Sequence, residues 1–407
     1  MLYFVGMKAE SDFVQSGGVT SPQGFLAGAT SAGIKYTDRR RLDLGILFSK
    51  VPCAAAAVFT TNKVKAAPVL LDRARLKKGT ASAVVMNSGC ANACTGEPGM
   101  ADAVEMTELA ARHVGVKPEE VLVASTGVIG VTLPMDRIRA AIPEVVLTLA
   151  GGHDLARAIM TTDTVPKEVA VKVGDYTIGG MLKGAGMIHP DLATLLVFLT
   201  TDAAVNVAFL RQALRKAVDI SFNMVSIDGN GSTNDTVLIM ANGMAGGKPI
   251  TKSGNRAEVF QQALNKVCIH LAKESARDGE GATKLIEAKV SGAVSRKDAR
   301  LAARTIVSSL LVKSAVHGSD PNWGRVLAAA GRSGAALVPE KMELFMGDTC
   351  VVKGGSPVTF DKKEVVKHLD GKEVFITLNL HLGRAEATAW GCDLSEEYVK
   401  INAEYTT

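Results

Sequence analysis

Apolar and polar positions recur along this chain with two periods, one suited to strands and one to helices. Short apolar or β-branched runs, bounded by Gly, Ser, Asn or charged residues, predict strands at 42–49 (LDLGILFS), 54–61 (AAAAVFTT), 81–89 (ASAVVMNSG) and 119–127 (EEVLVASTG). Between the last two, residues 100–116 set Ala103, Met106, Ala110 and Val114 on one side, with Glu105 and Glu108 on the other. That is the period of an amphipathic helix. A second helix is predicted in LPMDRIRAAIPEVVLTLA, where Asp136 suits the first turn and Pro143 ends or kinks it.

The second half repeats this in kind but not in sequence. A strand at 195–201 leads to a helix in NVAFLRQALRKAVDISF, a strand around TVLIMANG and a long helix in NRAEVFQQALNKVCIHLAKESARDG. EAKVSGAVSRKDARLAARTIVSSLLVKSAVHG reads as strand then helix, and VFITLNLHLG and EATAWGCDL as closing strands. No fixed-period repeat and no clean βαβ rhythm is present, so the pattern predicts a layered α+β architecture, not a doubly wound parallel sheet.

Composition refines this only a little. Glycine, 40 of 407 residues, exceeds the usual level of roughly 7% and implies many tight turns. Aromatics are 5%, so the core must be built from Val, Leu, Ile, Ala and Met. The net charge of +5 is mild. Its densest cluster, DRRR at 38–41, reads as a solvated turn, and no nucleic-acid partner is expected. Of six cysteines only Cys90 and Cys94 are close, without a second Cys/His pair at metal-ligand spacing. Buried, inert thiols in a reducing compartment are expected, with no metal. No run reaches the roughly 18 apolar residues of a membrane span. The opening MLYFVGMKAESD is too short for a signal peptide, and Met7 is a candidate start. A cytoplasmic protein without a membrane partner is expected.

Nucleophile-elbow, Walker A, zinc-helix, dinucleotide and EF-hand motifs are all absent. Several polar turns remain: MNSGCANACTGEPG, MTTDTVPKE, SIDGNGSTNDT and HGSDPNWGR, each readable as a plain turn or cap. In ASTGVIG (124–130), a strand running into Ser-Thr-Gly leaves N–H groups aimed into a turn, where they can hold an anion or simply close the turn. In KGAGMIHPDLATLLVFLTTDA (183–203), Thr194 stands at a strand entrance, where most threonines are only strand residues. Were the bond before it cut, its own α-amine, with a pKa of about 7.7–8.0, would lie within reach of the hydroxyl as a base. Gly184, Gly186 and Pro190 suit such a cut.

VVMNSGCANACTG, VASTGVIGVTLPM, MTTDTVPKE and KGAGMIHPDLATLLVFLTTDA, with DGEGATK, DPNWGR and the terminal YVKINAEYTT, resemble in order and spacing the ornithine acetyltransferase (glutamate N-acetyltransferase) family of arginine biosynthesis. The resemblance covers nearly the whole chain. It implies a layered α/β sandwich of the N-terminal-nucleophile type, self-cleaved between Ala193 and Thr194 into an α chain (1–193) and a β chain (194–407), assembled as α2β2. It further implies that Thr194 takes the acetyl group of N2-acetylornithine and passes it to glutamate, with no cofactor. Acetyl-CoA is left open as a further donor. Thr126 and Gly127 match the oxyanion pair; Thr161, Lys183, Thr194, Glu280, Asn402 and Thr407 match substrate contacts. Each has an ordinary rival: a loop lysine, a turn carboxylate, a frayed terminus. His189 tempts as a base but reads as a loop histidine, and Cys90 stands where many relatives carry Asn. Two other readings remain open: a self-processing amidohydrolase or aminopeptidase, and a binding protein with Thr194 uncut.

Overall fold

The computed structural model describes residues 11–36, 41–189, 195–252 and 254–404. In chain order its strands are β1 (Ser11–Phe13), β2 (Phe25–Thr30), β3 (Leu44–Phe59), β4 (Thr80–Asn87), β5 (Val121–Ser125), β6 (Lys167–Val173), β7 (Tyr176–Lys183), β8 (Leu196–Thr201), β9 (Val225–Ser226), β10 (Thr236–Ala241), β11 (Leu285–Ala293), β12 (Glu343–Met346), β13 (Thr349–Lys353), β14 (Ser356–Pro357), β15 (Glu373–Asn379) and β16 (Ala385–Cys392). The helices are α1 (Ala67–Arg75), α2 (Gly96–Val114), α3 (Met135–Ala141), α4 (Gly152–Ala158), α5 (Val207–Ile220), α6 (Asn255–Arg277), α7 (Arg296–Val307), α8 (Leu310–His317), α9 (Trp323–Gly331), α10 (Lys362–Leu369) and α11 (Glu396–Glu404).

The strands make two mixed sheets. One runs β1-β6-β7-β8-β10-β3-β4-β5, with β2 added to β3, and the other β14-β13-β12-β15-β11-β16-β9. Helix α6 packs on β6 and β7 of the first sheet and on β9, β11 and β16 of the second, while α5 lies against α6 and β3. A single apolar core therefore reaches from one sheet through these helices to the other. The architecture is α+β and layered.

The apolar run after residue 194 follows from this layering. Leu195, Val197 and Leu199 enter the core shared with α5 and α6, while Leu196 and Phe198 enter a second core on the opposite face. A strand buried on both faces has no polar side to alternate with, so it reads as continuous hydrophobicity. The neighbouring β10 divides the same way, Val237 and Ile239 to one core, Leu238 and Met240 to the other. Residues on either side of position 194 share one sheet, since β7 pairs with β8 and β10 with β3.

Three expectations change. The strands predicted at 42–49 and 54–61 are one strand of 16 residues, β3. Pro52 sits where β3 changes partners, between its pairing with β2 up to Ser49 and with β10 from Ala54. A proline costs least where no ladder bond is needed. The helix expected after β11 is two, α7 and α8, parted at Ser308–Ser309. The hairpin β6–β7 and the C-terminal helix α11 were not assigned from the pattern.

Candidate active site

Strand β5 ends at Ser125 and the chain turns sharply at Thr126–Gly127. Gly127 has φ +130°, and a Cβ there would stand 2.4 Å from the carbonyl carbon of Gly89 and 2.6 Å from the amide nitrogen of Cys90. Both atoms are backbone, so only glycine fits. The turn is tied to the loop after β4: the Thr126 N–H donates to the Asn87 carbonyl (3.0 Å) and the Val128 N–H to that of Gly89 (3.3 Å). Asn234, from the loop before β10, donates to the carbonyls of Ala91 (2.6 Å) and Ser125 (2.8 Å). Because the Thr126 N–H is already engaged, the donors this turn can offer a ligand are the Thr126 hydroxyl and the Gly127 N–H.

Lys183 ends β7 beside a buried ionic cluster. Asp163 accepts from Lys167 Nζ (2.7 Å), the Gly184 N–H (2.7 Å) and the Thr161 N–H (3.1 Å). Lys167 also pairs with Asp278 at 2.5 Å, so one buried ammonium is held between two carboxylates. Burial pushes the Asp163 carboxyl up, but the charges of Lys167 and Lys183 win and hold it below the usual range. For Lys183 burial dominates and lowers its pKa, against the opposing pull of Asp163. Among the described residues the Lys183 ammonium makes no hydrogen bond or ion pair. It is half-buried and faces a cavity.

Removing one partner of such a buried cluster strands the others. Lys167→Met is expected to lower unfolding stability by about 3–5 kcal/mol at neutral pH. Asp163 has a depressed native pKa, so its stabilisation is present above the unfolded value and lost as pH falls through the native one. The deficit of the variant should therefore shrink in acid, which urea unfolding at neutral and acid pH would measure; an equal deficit at both would contradict the assignment.

Across the cavity, Glu280 follows α6. Its N–H donates to the Ala185 carbonyl (2.8 Å) and its buried carboxylate accepts from Asn402 of α11 (2.7 Å). Gly186 lies so close that a Cβ there would meet this carboxylate at 2.3 Å. Asp228 accepts from the N–H groups of Met187, Ile188 and Asn230. Burial pushes its carboxyl up, and the negative charge of Glu280 adds to this. Asp235 is raised well above the carboxylate range by burial. Arg41 reaches the Thr161 carbonyl at 3.3 Å while stacking on Tyr36, so this end of the DRRR stretch is not simply solvated; 38–40 lie outside the described residues.

The cavity, about 150 Å³, is lined by Thr126, Gly127, Thr161, Lys183, Glu280 and Asn402. These six candidates span positions 126 to 402 and meet at one place. Leu195 and Leu196 line the same wall. Ala193, Thr194 and Thr407 lie outside the described residues. His189 bonds Ser226 Oγ at 3.2 Å and is not among the lining residues. Cys94 is exposed, contrary to the expected burial, whereas burial pushes the Cys53 thiol up to about 12. Sequence reasoning missed Asp228, Asp235 and Tyr398 as lining residues; the first two fall in SIDGNGSTNDT, a stretch noticed but too generic to assign.

The ArgJ family profile matches residues 26–407. The chain belongs to the ArgJ family. It is 56% identical over 398 residues to the arginine biosynthesis bifunctional protein of Symbiobacterium thermophilum, covering 96% of this chain and 99% of that one. To its counterpart in Dehalococcoides mccartyi it is 52% identical over 405 residues, covering 98% and 100%. Among solved structures, the Bacillus halodurans bifunctional protein is 42% identical with a TM-score of 0.50, covering 51% of this chain and 98% of that chain. An ornithine acetyltransferase from Mycobacterium tuberculosis, solved with ornithine, is 46% identical over 45% of this chain and all of that one, with a TM-score of 0.43. ArgJ membership makes this chain an arginine-biosynthesis enzyme. Among the described residues no helix is long and apolar enough to cross a membrane.

Proposed function

We propose that this enzyme moves an acetyl group from N2-acetylornithine to glutamate through an acetyl ester on Thr194, after cutting its own chain at Ala193–Thr194. One observation carries the reading. Six residues matched to the family's substrate and oxyanion positions line a single cavity, whose wall continues into Leu195, the residue bonded to Thr194.

In processing, the Thr194 hydroxyl attacks the Ala193 carbonyl, and water then hydrolyses the resulting ester, leaving a free α-amine on Thr194. That amine, with a pKa of about 7.7–8.0, takes the hydroxyl proton when Thr194 next attacks the acetyl carbonyl of the substrate. Negative charge developing on the carbonyl oxygen falls to the Thr126 hydroxyl and the Gly127 N–H, whose direction is fixed by a conformation only glycine can hold here. Lys183, whose ammonium makes no hydrogen bond or ion pair among the described residues, binds the α-carboxylate. Glu280, held by Asn402, binds the side-chain ammonium of the ornithine moiety. Ornithine leaves, the glutamate amine attacks the ester, and N-acetylglutamate departs with Thr194 regenerated.

The two cleaved chains would stay together, because β7 pairs with β8 and β3 with β10 across the cut. The solved Bacillus halodurans chain supports the cut: half of this chain covers 98% of it, so it has about half this length. We take two such αβ pairs to form the assembly.

Intact mass under denaturing conditions, before and after brief incubation with N2-acetylornithine, tests the proposal. The expected species are 193 and 214 residues of the 407, the second gaining one acetyl group. An uncut chain would sink the self-processing step. A cut chain that releases ornithine equally fast without glutamate would point to a hydrolase.

A further inference from the structure

Ornithine and glutamate carry opposite charges at the same place. Each side chain ends the same number of bonds from the α-carbon, one in an ammonium and the other in a carboxylate. Transfer through an ester on one threonine seats the two amino acids in turn, with the α-carboxylate on Lys183, so both side chains end at Glu280. The walls there are acidic. Glu280, Asp228 and Asp235 line the cavity, and Lys183 is the one cationic side chain among the described lining residues. An ammonium suits such a wall. A second carboxylate meets like charge, with no described lining cation left to receive it.

Two of these carboxyls flank one short stretch of backbone. Gly186 abuts the Glu280 carboxylate, and the next N–H along the chain, that of Met187, donates to Asp228. Met187 is held in the left-handed region, at φ +56°, which a non-glycine residue keeps only where its surroundings over-determine it. The chain beside Asp228 is tied back to the same stretch, since the Ile227 N–H donates to the Ile188 carbonyl (2.8 Å). Both carboxyls are therefore fixed near each other. The Asn402 amide, donating to Glu280, favours its ionised form. The other charged or titratable groups facing the pair are Lys183 of β7, Tyr398 of α11 and Cys392 of β16. Burial pushes the Tyr398 hydroxyl up to about 12 and raises the Cys392 thiol, so neither adds a charge at neutral pH.

We propose that Asp228 lets one subsite accept both side chains: it is ionised beside the ammonium of ornithine and takes up a proton from solvent when glutamate enters. The inference rests on the acetyltransferase reading. Of three carboxylates brought to one place, one cannot stay charged, as when paired carboxylates share a single proton. The O–H formed on Asp228 donates to the side-chain carboxylate of glutamate, while Glu280 stays ionised on Asn402. The proton returns to solvent as N-acetylglutamate leaves, so none is consumed in a cycle. Burial and the charge of Glu280, which both raise the Asp228 carboxyl, already bias it toward that uptake.

Calorimetry of glutamate and of ornithine binding to the processed protein, with no acetyl donor present, tests this in two buffers of different protonation enthalpy. Lys183 and the Thr194 α-amine meet the part common to both ligands, so their contributions cancel in the difference. Glutamate should take up about one proton more than ornithine, and its affinity relative to ornithine should fall about tenfold for each pH unit above neutrality. Asp228→Asn imitates the protonated acid permanently. There the difference in proton uptake should vanish, the affinity ratio should stop changing with pH, and ornithine should bind about tenfold more weakly. Equal proton uptake by the two ligands in the unaltered protein overturns the proposal without any variant. A difference that persists in Asp228→Asn gives the proton to another group and overturns it as well. Processed protein that binds neither amino acid, or that lacks acetylornithine–glutamate exchange, defeats the acetyltransferase reading itself and the role of Asp228 with it.

Discussion

Thr194→Ala is expected to leave one uncut chain of 407 residues and to lower acetyl transfer by about six orders of magnitude, the scale seen when a nucleophile is removed from a triad acting as a unit. Two losses coincide in this variant. Without a hydroxyl there is nothing to attack the Ala193 carbonyl, so the α-amine that would serve as base stays locked in a peptide bond. Supplying the chain already cut, by co-expressing 1–193 and 194–407 with Ala at 194, separates the two. The amine is then free, yet transfer should remain absent, because no ester can form. Thr194→Ser keeps a hydroxyl and should retain cleavage and a measurable part of the activity. Residual transfer in the cut alanine protein at more than a percent of normal would show that the acetyl group moves directly between substrates, and the covalent intermediate would have to be given up. SDS gels and exchange of labelled ornithine into acetylornithine read these outcomes.

The fold and the site were legible to different depths, for physical reasons. Strand β8 could be read because burial on both faces leaves an uninterrupted apolar run. Helix α2 could be read because one face is buried and the other is not: Ala103, Met106 and Ala110 are buried while Glu105 and Glu108 are only half-covered. β3 was misread as two strands, because Pro52 signals an interruption while its tolerance depends on which strands flank it, a tertiary fact. In the site, the Thr126–Gly127 turn showed itself locally as a strand ending in Ser-Thr-Gly. Lys183, Glu280 and Asn402 did not, since nothing near them in sequence marks them, and only the resemblance singled them out. The stretch MTTDTVPKE read as a turn or cap; its Lys167 finds Asp278 111 residues away, and its Asp163 holds Gly184 21 residues on. A buried charge is defined by partners that local sequence does not contain.

Lys183→Met should lower kcat/KM for N2-acetylornithine about a hundredfold, mainly through KM, while leaving the chain cut and folded. Loss of one partner from a desolvated charge pair costs about 2–5 kcal/mol, and each 1.4 kcal/mol is tenfold. The cost to the fold should be small: burial disfavours the Lys183 charge in the free protein, and among the described residues its ammonium makes no hydrogen bond or ion pair. The same burial shapes the pH profile. A lysine with a lowered pKa is charged only below that value, so carboxylate binding should weaken as pH rises through it, earlier than for an ordinary lysine. The Thr194 α-amine must be neutral to act as base, so the rate should also fall as pH drops below about 7.7–8.0. Activity is therefore bounded on both sides. Lys183→Arg separates the limbs, because a guanidinium stays charged throughout: the alkaline fall in kcat/KM should disappear while the acid fall remains. An alkaline fall that survives in both Lys183→Met and Lys183→Arg would assign that limb to another group and remove Lys183 from carboxylate recognition.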